Sequence, residues 1–105
     1  MRKMRVACTG LKFEPKEKLN QLSFKLPEGA EILSAQLEQK DSDNIFWFTY
    51  LTPSEAYEDG FKESYPWKEY YFYICECSYT EIEFHDHKYI GSIYIGEKTY
   101  VVFYK

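Results

Sequence analysis

The sequence predicts a mainly β domain: an antiparallel sheet, sandwich or partly closed barrel, with one short helix or helical loop around residues 54–65. Three observations carry this. Apolar and polar residues alternate with period two along several segments, turn-forming clusters separate those segments, and two of them are apolar on both faces. At 105 residues, 45% hydrophobic and 29% charged, the chain reads as one β-rich domain over 1–105, folded rather than disordered.

The elements follow in order. Cys8 to Phe13 is a candidate first strand, and its Cys8 is expected to be buried. Leu22, Phe24 and Leu26 alternate with Gln21, Ser23 and Lys25, the pattern of a strand with one buried face. A turn follows, with Pro27 at its second position and Gly29 at its fourth, which fits type I. The next strand is expected to put Leu33, Ala35 and Leu37 on one face and Ser34, Gln36 and Glu38 on the other. Asp41-Ser42-Asp43-Asn44 is a polar turn cluster. Ile45 to Leu51 and the stretch Tyr70-Tyr71-Phe72-Tyr73-Ile74, inside a strand over 68–78, are apolar on both faces and read as central strands. Lys88 to Ile95 and Lys98 to Tyr104 form a hairpin closed by Gly96-Glu97, with glycine at the first central position as type II′ requires. Between the central strands, Pro53 to Trp67 breaks the pattern. Ser54 is placed to cap a helix there, and Gly60 and Pro66 restrict that helix to about two turns.

Composition narrows the function. No apolar run approaches the ~20 residues of a membrane helix, so no membrane association is expected. Met1 to Val6 is basic, but no apolar stretch follows it, so it is not expected to act as a signal peptide. Three cysteines suit free thiols in a reducing, cytoplasmic setting. Net charge is −4: residues 1–52 carry 8 basic and 7 acidic side chains, and residues 53–105 carry 5 and 10. That balance disfavours direct binding of duplex DNA, unless Arg2, Lys3, Arg5 and Lys12 assemble one basic patch.

Several motifs resemble those of a small family of uncharacterised phage and prophage proteins. They are Leu26-Pro-Glu-Gly-Ala30 followed by Ile32-Leu-Ser-Ala-Gln36, the tryptophan strand around Trp47, and the terminal hairpin opening Tyr89-Ile-Gly-Ser92. Where that family often has Gly-Thr-Gly-His, this chain has Cys75-Glu76-Cys77-Ser78, and its last strand has no histidine. The resemblance covers about residues 10–105. It implies the fold and a phage-type origin, and no activity comes with it.

Catalytic signals are sparse. Cys75-x-Cys77 with His85-x-His87 supplies the Cys₂His₂ donor set that zinc accepts. Structural sites place two to four residues between cysteines, however, so these four form only a weak candidate and neither metal nor cofactor is expected. Glu81 and Glu83 are expected to share one strand face, as an acidic edge or an acid–base pair. There is no Gly-x-Ser-x-Gly and no phosphate-cradling glycine loop.

Aromatics are the strongest lead. They make up 20% of the chain, and Tyr57, Phe61, Tyr65 and Trp67 crowd an otherwise acidic loop. Tyrosine and tryptophan anchor interfaces and stack on nucleobases. The expected binding residues are therefore Tyr57, Phe61, Tyr65, Trp67, Lys68, Arg2 and Arg5. The expected function is stoichiometric binding, without catalysis, by a phage-type accessory protein that interferes with host defence. Two partners fit: a small nucleotide ligand that is sequestered, or a host defence protein that is occluded. Surplus aromatic surface also points to a homo-oligomer. A small enzyme using Glu81, Glu83, His85 and His87, or a virion assembly component, are the alternatives.

Overall fold

The computed structural model describes the whole chain except residues 1, 2, 16, 17, 59, 61, 62, 78–80, 82 and 84. Seven strands form two antiparallel sheets: β1 (Met4–Lys12), β2 (Leu19–Pro27), β3 (Glu31–Lys40), β4 (Asp43–Pro53), β5 (Trp67–Glu76), β6 (Lys88–Ile95) and β7 (Lys98–Tyr104). One sheet has the order β1-β4-β3 and the other β2-β5-β7-β6. They pack face to face as a sandwich. The two segments that are apolar on both faces, β4 and β5, lie inside their sheets, as expected.

The core is an aromatic layer between the sheets. Phe46 and Phe48 of β4 meet Phe72 of β5 with ring centroids 5.6 and 4.6 Å apart, and Phe24 of β2 stands edge-on to Phe48 at 4.8 Å. Phe46, Phe48 and Phe72 are fully buried. Burying each such side chain is worth about 1.5–3 kcal/mol, and edge-to-face pairs add to that.

The turns show where local chemistry wins. The 3₁₀ turn Ser54–Tyr57 is all the helix that the described part of the 53–67 interval contains. Its cap is Pro53, with no side-chain capping bond, so Ser54 does not cap; its N–H donates instead to the Lys3 carbonyl at 3.0 Å. The β2–β3 turn is closed by the Ala30 N–H on the Pro27 carbonyl at 3.1 Å. Gly29, at its third position, has φ +94°. The turn therefore starts one residue later than expected and is type II, because a positive φ at that position takes glycine. Asp41 and Ser42 both have positive φ, giving a two-residue type I′ loop that leaves Asp43 and Asn44 within β4. Gly96 alone is positive in the β6–β7 loop, as type II′ requires.

One strand departs in phase. A bulge between Ile32 and Ser34 shifts the β3 register, so Ile32 and Ala35 face the core and Leu33 is 44% exposed. The extra residue turns Leu33 outward, while Ala35 and Leu37 keep the core-facing side expected of them. β5 and β6 both run antiparallel to β7, so the connection over 77–87 is a crossover. The Cys77 N–H donates to the Thr99 carbonyl at 2.8 Å, and the His87 ring packs on Tyr73 at 4.6 Å. Since Phe72 and Ile74 face the core, Tyr73 marks the outer face, and that is where His87 lies.

Candidate functional site

Five of the seven expected binding residues gather at one end of the sandwich; Arg2 and Phe61 lie outside the described residues. Arg5, near the start of β1, pairs with Thr52 and sends its guanidinium over the Tyr57 ring, 5.2 Å from the centroid. Tyr57 ends the 3₁₀ turn and packs edge-on against Trp67, centroids 6.1 Å apart. Trp67 opens β5 opposite Pro27 and remains 45% exposed. The Tyr65 hydroxyl donates to the Glu28 carbonyl at 3.1 Å, and the Glu28 N–H donates to the Pro66 carbonyl at 2.9 Å. The loop is thereby fastened to the β2–β3 turn. Burial, together with a hydrogen bond to Tyr50, pushes the Tyr57 hydroxyl up to about 12.

Lys68 turns the other way, its ammonium 5.3 Å from the centroid of Tyr70. It lines a cleft of about 520 Å³ between the β2–β3 turn and the ends of β5, β6 and β7. Tyr70 and Tyr104 form its floor and are themselves buried. The Tyr70 hydroxyl donates to the Ala30 carbonyl at 3.0 Å, holding the turn over the cleft. Burial raises the Tyr70 pKa, with Tyr104 adding to the effect.

Sequence reasoning missed most of this cleft. Lys68 was singled out; Glu28, Glu31, Asp86, Lys88 and Lys105 were not. Their signal was faint: charged residues at a turn and at strand ends, such as Lys88 at the start of β6.

Other candidates disperse. Lys12 sits at the far end of β1 from Arg5, in an ion pair with Asp43 at 3.4 Å, so the two do not share a basic patch. Cys8 is exposed rather than buried, its Sγ 3.4 Å from the Thr49 hydroxyl. The weak zinc set does not converge: Cys75 is buried, Cys77 is exposed, and among the described residues no group of three or more His, Cys, Asp or Glu side chains is placed to hold a metal ion. Glu81 and Glu83 are exposed and lie outside any strand, which removes the shared strand face. Glu83 lies 3.7 Å from His85.

No helix among the described residues is long and apolar enough to cross a membrane. The chain matches no family model, no curated protein sequence and no solved structure.

Proposed function

We propose that this chain is a small accessory protein of phage type that acts by stoichiometric binding. Its contact surface is the end of the sandwich where Arg5, Tyr57 and Trp67 meet, and its partner is a host defence protein that it occludes. One observation carries the reading: a half-exposed Trp67 leaning on Tyr57, itself beneath Arg5, at a site the core does not require. Tryptophan, tyrosine and arginine are the residues most enriched at interface hot spots. The neighbouring cleft offers a nucleobase little to stack on, because its rings are buried beneath lysines. Motif likeness supports the phage-type origin. Self-association belongs to the same reading, with exposed Val6 and Leu33 on the outer face of the three-stranded sheet as its natural seat.

Native mass spectrometry of protein purified from a host lysate reads both points. The expected result is one partner at fixed stoichiometry with the wild type, lost with Trp67→Ala and kept with Leu33→Ala. A partner held equally by Trp67→Ala overturns the assignment of the surface.

A further inference from the structure

The cleft beside this surface carries six charged side chains that leave one another unpaired. Lys68, Lys88 and Lys105 come from β5, β6 and the residue after β7; Glu28 and Glu31 flank the β2–β3 turn, and Asp86 precedes β6. Among the described residues none of the six forms an ion pair. Elsewhere opposite charges do meet, as in Lys12–Asp43 at 3.4 Å and Lys98–Glu76 at 3.7 Å. In the cleft, Lys68 and Lys88 instead rest over the rings of Tyr70 and Tyr104, at 5.3 and 5.9 Å.

We propose that this cleft binds a small ligand carrying a phosphate and, apart from it, an amino group. A phosphate with no N–H donor leaves Glu28, Glu31 and Asp86 without a partner, and an amine with no phosphate leaves the lysines without one. A ligand with both groups separated satisfies both sets. Lysines take phosphate as point charges, and a carboxylate accepts hydrogen bonds from an amino group, as glutamate and aspartate do from the exocyclic amine of cytosine. A cleft of about 520 Å³ falls within the usual range for small-molecule sites. A nucleotide with an amino-bearing base and a phosphorylated amine share this chemistry. Because Tyr70 and Tyr104 are buried, recognition rests on charge and hydrogen bonding rather than on stacking.

Calorimetric titration with adenosine monophosphate, uridine monophosphate, O-phosphoethanolamine and inorganic phosphate tests this. At least one amino-bearing probe is expected to bind tenfold or more tightly than uridine monophosphate and inorganic phosphate; which one does so identifies the source. Lys68→Ala with Lys88→Ala is expected to weaken that binding at least tenfold, and Glu28→Ala with Glu31→Ala to erase the preference over uridine monophosphate. All four side chains are exposed, so the melts stay near wild type. Trp67→Ala leaves this binding unchanged, which separates it from the partner surface. Binding by none of the probes, equal binding by all, or indifference to the lysine pair overturns the proposal.

Discussion

Tyr57 shows how one residue can belong to both the fold and a contact surface. Its ring faces Arg5 and Trp67, while its hydroxyl is turned toward Tyr50 and held near 12 instead of 10. A tyrosine raised in the folded state contributes its full stabilisation below the unfolded value near 10, and loses it as pH climbs from about 10 to about 12. Wild-type stability should therefore fall more steeply than that of Tyr57→Phe between pH 10 and 12 in denaturant melts. Parallel profiles would mean that the hydroxyl is not held as described. Chemical type marked out Tyr57 and Trp67 in the sequence as aromatics in an otherwise acidic loop, and Arg5 as a cation able to reach a phosphate. The contact of Arg5 with Tyr57 was not legible, because it joins residues far apart in sequence.

At the scale of elements, legibility followed whether the decisive interaction was local. The alternation of β2 and the Gly96 loop survive intact because side-chain period and turn chemistry are written into neighbouring residues. β3 does not survive intact. Its bulge answers to pairing with β4, a register that its own residues do not announce. The consequence is measurable. Ile32 is 4% exposed and Leu33 44%, the reverse of the unbulged phase. Ile32→Ala should cost about 2–5 kcal/mol and Leu33→Ala about 0.5 kcal/mol or less in denaturant melts. The opposite ranking would restore the regular strand.

At the scale of the whole molecule, three groups of aromatics stand out among the described residues. One group fills the layer around Phe46, Phe48 and Phe72, and another, with Tyr73 and Phe103, lies on the outer face of the four-stranded sheet. A third, with Tyr57 and Trp67, caps one end. A β-rich sandwich was legible because the core strands are apolar on both faces. The cleft was not, because it draws together the ends of three strands and a turn spread from Glu28 to Lys105, and charged residues at strand ends look in sequence like ordinary solvated termini.

The proposed contact surface requires that Trp67, unlike the core rings, adds little to folding. Paired denaturant melts of Trp67→Ala and Phe48→Ala test it most directly. The account predicts a loss of about 1 kcal/mol or less for Trp67→Ala against about 3–5 kcal/mol for Phe48→Ala. A Trp67→Ala loss as large as that of Phe48→Ala would make the tryptophan part of the core and contradict the account.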